Sequence, residues 1–189
     1  MARISTYPVD SSVNVADYVI GTDSEDSNVT KNYTIASIVA LAPGTTYINA
    51  ADISGSSVTT IPDLVTFVPL DCVLTANAAT SWSVGEAPNQ NRIIYDGGTD
   101  KFAIITITIN VVGTAGDDVH FSIFKNGVEI DGTVQKTEIA SNTPAVATTL
   151  TLQSLQSVTT SDYFSVSVKN TTGTNSVTAT HYNVVAHTL

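Results

Sequence analysis

The chain has 189 residues, enough for one ordinary domain plus an appendage. Seven basic against seventeen acidic residues give a formal net charge of −10, and the basic residues are scattered, which argues against nucleic acid or an anionic membrane as partner. Only 13 % of residues are charged, so Thr, Ser and Asn must solubilise most outward positions, a composition suited to β-strands.

The opening residues Met1 to Pro8 lack the apolar run of a secretory leader, and no window reaches the length of a membrane span. A soluble protein made in the cytoplasm is therefore expected. Residues Asp17 to Asp23 then read as an extended piece, followed by an acidic turn and by Thr30 to Ile38, which ends in a short helix-like segment. Thr34 offers an N-cap there and Ile35, Ile38, Val39 and Leu41 share one apolar face, with a single short strand as the alternative. Pro43-Gly44 ends the segment. These pieces are too few to bury a core alone, so they must lie against something else. The oxygen-rich run Asp23 to Asn28 lacks the glycine and terminal glutamate of an EF-hand loop, and a solvated turn explains it better.

Ser54-Gly55-Ser56-Ser57 has the composition of a flexible linker. The expected organisation is an arm over 1–53, a linker over 54–62 and a β-domain over 63–189. The only cysteine, Cys72, sits among Leu70, Val73 and Leu74, which predicts a buried, inert thiol and allows no intrachain disulfide. Trp82, Asn91 and Tyr95, with Asn89 and Gln90 between them, form the best candidate ligand loop, although a lone tryptophan is also a natural core anchor.

Strands follow. Phe102 to Val112 places Ile105, Ile107 and Ile109 on one face; Val119, Phe121 and Ile123 alternate with polar neighbours and run into Asn126-Gly127, a strong hairpin signal. Phe164, Val166 and Val168 repeat the pattern, and the closing strand from Val177 to Leu189 alternates through Thr178, Thr180, Tyr182, Val184 and Ala186. Many short strands with regular turns imply an antiparallel sandwich or barrel. Phe102, Ile104 and Phe124 are apolar on the face opposite the core positions, so they need a second burial, and a subunit interface is the sharper explanation beside a covering loop.

No catalytic arrangement stands out, and an enzyme is not expected. There is no Gly-x-Ser-x-Gly elbow, no phosphate-binding glycine loop, and the aspartates of residues 96–118 fall at turns. His181 and His187 share a face but lie about 20 Å apart on an extended strand, too far for one metal within a subunit. Neither a cofactor nor a metal is expected.

Two regions carry a resemblance. Arg3-Ile4-Ser5, Asp17-Tyr-Val-Ile-Gly-Thr-Asp23 and Thr30-Lys31-Asn32-Tyr33-Thr34-Ile35 resemble the amino-terminal segment of bacteriophage fibre and other virion structural proteins. Phe124-Lys125-Asn126-Gly127, Ser161-Asp162-Tyr163-Phe164-Ser165-Val166 and the closing strand resemble phage and tumour-necrosis-factor-like jelly rolls, with Ser161-Asp162 in place of the more usual Gly-Asp. No heptads or repeated shaft segments lie between the two regions. The resemblance implies an all-β antiparallel jelly roll with an extended amino-terminal attachment arm, assembled as a homotrimer packed through one sheet. It implies a virion surface protein, a short head fibre or capsid decoration, bound to a capsid or tail protein through Tyr18, Val19, Ile20, Gly21, Tyr33, Ile35 and Ile38. The expected interface residues are Phe102, Ile104, Phe124 and Tyr182. The alternative is a tail-fibre tip or a module binding a host receptor or surface glycan through Trp82, Asn91 and Tyr95.

Overall fold

A computed structural model describes residues 16, 18–23, 29–34, 45–55 and 57–189. The chain divides into two compact units, Met1–Gly44 and Thr45–Leu189. In the first unit, β1 (Tyr18–Asp23) and β2 (Val29–Thr34) pair antiparallel, from Tyr18 opposite Thr34 to Asp23 opposite Val29. The expected extended piece is thus hydrogen-bonded to the segment that follows it. Its β-branched and aromatic residues suit a ladder, and pairing satisfies backbone groups that a lone strand would leave open. Thr34, expected as a helix N-cap, is the last residue of β2. Ile35, Ile38 and the helix-like segment lie outside the described residues.

The second unit contains β3 (Tyr47–Asp52), β4 (Ser57–Thr59), β5 (Val68–Pro69), β6 (Thr75–Thr80), β7 (Trp82–Val84), β8 (Arg92–Tyr95), β9 (Lys101–Val112), β10 (Asp118–Lys125), β11 (Val128–Glu129), β12 (Gln135–Glu138), β13 (Thr148–Val158), β14 (Tyr163–Asn170) and β15 (Val177–Thr188). One sheet has the order β13-β9-β15-β3-β6, with β4 also on β15; the other has β11-β10-β14-β8-β7, with β12 on β10 and β5 on β14. From β8 onward the chain alternates between the sheets, with only β10, β11 and β12 consecutive in one of them. That winding makes an antiparallel jelly roll.

The alternation read from sequence aims the core. Ile105, Ile107 and Ile109 of β9 face Val119, Phe121 and Ile123 of β10 and Phe164, Val166 and Val168 of β14, all fully buried between the sheets. The Asn126-Gly127 hairpin forms as expected: Lys125 pairs with Val128, and both loop residues have positive φ, 53° and 79°. The closing strand departs from a single alternation. Its register against β9 shifts between Ala179 and His181, so Val177 and Ala179 point inward before the bulge, and Tyr182, Val184, Ala186 and Thr188 after it.

The domain boundary also moves. Residues 47–52, expected in the arm, form β3 between β15 and β6, with Ile48 and Ala50 buried. The expected linker contains β4, paired with β15, and the buried Ile61. Asp52 ties the start of the serine-rich stretch to the domain: its carboxylate accepts the Ser54 and Val73 N–H groups, each at 2.8 Å. Burial opposes the charged form of Asp52, but these donors outweigh it and hold its carboxyl below the usual range.

Candidate functional site

Two surfaces stand out. The first is the outer face of the sheet containing β9. Cross-strand register sets Leu155, Ile104, His187, Tyr47 and Thr80 side by side across five strands. Phe102 (59 % exposed), Leu155 (56 %) and Tyr47 (45 %) leave much of their surface in solvent, and Ile104 is half-buried. Farther along the same face the neighbours are polar: Thr149 donates to Asn110 and Asn183 to Asn49. The largest exposed apolar side chains therefore gather toward one end of the face, with Val185 and Val58 exposed farther along it.

Only two of the four expected interface residues, Phe102 and Ile104, lie there. Phe124 belongs to the opposite sheet, where its ring meets Phe67 edge-on at 5.6 Å. Tyr182 is 2 % exposed and faces the core, so it cannot reach a neighbouring subunit. The bulge in β15 sets the phase that turns it inward. Leu155 and Tyr47, which sequence reasoning missed, complete the patch.

The second surface was expected around Trp82 and Tyr95, and the structure corrects this. Both rings are buried. Trp82 Nε1 donates to Thr46 Oγ1 at 3.0 Å and its ring meets Tyr95 at 5.0 Å, while the Tyr95 hydroxyl donates to the Thr99 carbonyl at 2.9 Å. Each aromatic polar group has a partner, as buried Trp and Tyr require, and neither ring is available to a ligand. Asn91 remains at the surface, its Nδ2 donating to the Leu70 carbonyl at 3.1 Å.

Asn91 instead lines a groove of about 390 Å³ on the outer face of the β10-β14-β8 sheet. Phe124, Ser165 and Arg92 stand in register across its three central strands. The Arg92 guanidinium lies 4.2 Å over the Tyr163 ring, and Lys169 Nζ lies 4.5 Å over Phe67. The floor is Ser165 and Ser167, small residues alternating with the core positions of β14. That alternation was legible in sequence. The walls come from Phe67 and from residues 88–91, whose approach depends on the fold.

Among titratable groups, Asp162 is the best held. It accepts from Asn126 Nδ2 at 2.6 Å and the Thr159 N–H at 2.9 Å, and pairs with Lys125 Nζ at 2.8 Å. Burial works against its charge, but the Lys125 and Asn126 donors and the Thr159 N–H lower its pKa to about 2. Cys72 is buried, and burial, reinforced by Asp52 and Asp71, pushes its thiol up to about 12, as expected for an inert thiol. His120, expected to alternate with core positions, does so, and burial with Lys136 and Lys169 lowers its pKa.

Of the expected anchoring residues, Tyr18, Val19, Ile20 and Gly21 lie on β1 and Tyr33 on β2, with Val19 exposed and Tyr33 half-buried. No protein-family model matches the chain, and no curated protein matches it. Solved structures similar to it include the PRD1 vertex protein P5 (12 % identity, 77 % of this chain and 98 % of that chain, TM-score 0.45). Others are murine APRIL (7 %, 77 % and 100 %, TM-score 0.45) and the Eiger TNF from S. frugiperda (10 %, 76 % and 92 %, TM-score 0.44). Likeness this distant assigns no family. The class rests on the chain's own topology, an antiparallel jelly-roll sandwich.

Proposed function

We propose that the protein is a bacteriophage virion structural protein whose jelly roll is displayed as a homotrimer and whose amino-terminal unit attaches it to a capsid or tail protein. The observation that carries the reading is the apolar end of the outer sheet face, with Phe102, Leu155 and Tyr47 exposed beside Ile104. A cluster of large exposed apolar side chains is an interaction surface by its solvation cost. A second copy is the simplest occupant, and the resemblance of the closing strands to trimeric jelly rolls sets the number at three. The virion context comes from the resemblance of residues 17–35 to phage fibre openings.

Attachment is mechanical in this reading. The paired strands that carry Tyr18, Val19, Ile20 and Tyr33 dock on a particle protein, with Val19 exposed for contact. Three linked units then multiply a weak affinity by effective concentration. Deleting residues 1–44 is expected to leave a folded trimer that no longer joins the particle. A monomer in sedimentation equilibrium overturns the trimer, and normal incorporation overturns the attachment role. Adhesion through Trp82 and Tyr95 has no support, since both rings are buried.

A further inference from the structure

We infer that the groove on the outer face of the β10-β14-β8 sheet is a saccharide-binding site. Its floor carries the first argument. Ser165 and Ser167 are 8 % and 3 % exposed. Neither hydroxyl is hydrogen-bonded to another described residue, yet no buried side-chain polar atom among the described residues lacks a partner. Both oxygens are therefore reached from the groove. Two hydroxyls at the bottom of a cleft, neither spent on a protein partner, offer donors and acceptors to a neutral polar ligand.

The walls supply complementary chemistry. Phe124, Pro69 and Pro88 line the groove with apolar surface for the C–H side of a sugar ring. Arg92 stacks on Tyr163, which fixes its planar donors, and no carboxylate pairs with it among the described residues. Asn91 spends one N–H on Leu70 and keeps its carbonyl oxygen for an outside donor. Apolar faces beside fixed donors and acceptors match a ring with C–H faces and an equatorial hydroxyl rim.

Other ligand classes fit less well. A volume of about 390 Å³ suits one or two sugar rings and is too small for a folded segment. The strands beneath are paired on both sides, so no open edge invites an extended peptide. The net charge of −10 disfavours a polyanion. The inference does not rest on the trimer, since the groove and the apolar patch lie on opposite sheets.

The test is chemical-shift mapping on the isotope-labelled full chain, titrated to millimolar levels with galactose, glucose, N-acetylglucosamine and galacturonic acid. At least one sugar is expected to move the amides of Arg92, Ser165 and Ser167. Arg92→Ala and Asn89→Ala, the latter on an exposed side chain, are each expected to weaken that sugar by roughly tenfold with unchanged melting. No movement at these amides with any of the four, movement confined elsewhere, or wild-type affinity in both variants overturns the site. Sedimentation of the same samples reads the oligomer separately.

Discussion

At the residue scale, Asp162 is the polar clasp of the sandwich. It joins the Asn126-Gly127 hairpin to the turn before β14, and Asn126 Oδ1 in turn accepts the Tyr163 N–H at 2.9 Å. Its carboxyl titrates near 2 in the fold against an ordinary 3.8, so it stabilises fully above about 4 and loses that contribution as pH falls toward 2. Asp162→Ala is expected to lower unfolding free energy by about 2–3 kcal/mol at neutral pH and to flatten the acid limb of a urea-midpoint profile between pH 5 and 2. A midpoint with the wild-type pH slope would show that another carboxylate controls the acid limb. Cys72 makes a simpler prediction. Its buried, raised thiol should resist an aromatic disulfide reagent at pH 8 in native protein and react at once in denaturant; fast native labelling would contradict the burial.

At the element scale, the boundary between the two units is the testable feature. β3 lies between β15 and β6 and buries Ile48 and Ala50, so removing residues 45–53 takes out an interior strand and its hydrogen bonds on both sides. Cooperative unfolding should disappear from a chain lacking that strand, whereas a chain lacking only 1–44 should keep the sandwich's melting transition. If both truncations melt alike, β3 is not integral. The hairpin at Asn126-Gly127 is a second element-scale case. Gly127 has φ +79°, and an added Cβ would come 3.3 Å from the Tyr163 hydroxyl. Gly127→Ala should cost about 1 kcal/mol in denaturant unfolding, since L side chains seldom adopt that backbone conformation.

For the whole molecule, the two sheets present different outer faces. One carries the apolar patch of Phe102, Ile104, Leu155 and Tyr47; the other carries the serine-floored groove. Phe102→Glu with Leu155→Glu places charge where a neighbour's apolar side chains would sit. That pair should convert the proposed trimer to a folded monomer by sedimentation and circular dichroism, because both positions are exposed within one subunit. A trimer that survives both charges would move the interface elsewhere. Saccharide affinity measured on that monomer should be unchanged, which separates the two faces experimentally.

Much of the β-domain was legible before any coordinates, and for a definite reason. A strand with one buried face must alternate, so Ile105, Ile107 and Ile109, or Phe164, Val166 and Val168, declare their own inward face, and Asn-Gly declares its own turn. Sequence pattern therefore determined an antiparallel sandwich or barrel, its core stripe, an inert cysteine and apolar residues on both faces of β9. What it could not supply was anything that depends on which strands become neighbours. The strand Tyr47–Asp52 is weakly patterned and was hidden by the serine-rich stretch after it; pairing with β15 and β6 identifies it. One extra residue at the bulge reversed the face of Tyr182, a change invisible to any period-two count. Trp82 and Tyr95 looked like loop aromatics until Thr46 and Thr99 supplied their hydrogen-bond partners. The groove unites residues 67, 91, 92, 124 and 163–167, which lie far apart in the chain and meet only because β14 pairs with both β8 and β10. Local pattern sets which way a side chain points, and long-range pairing sets what it meets.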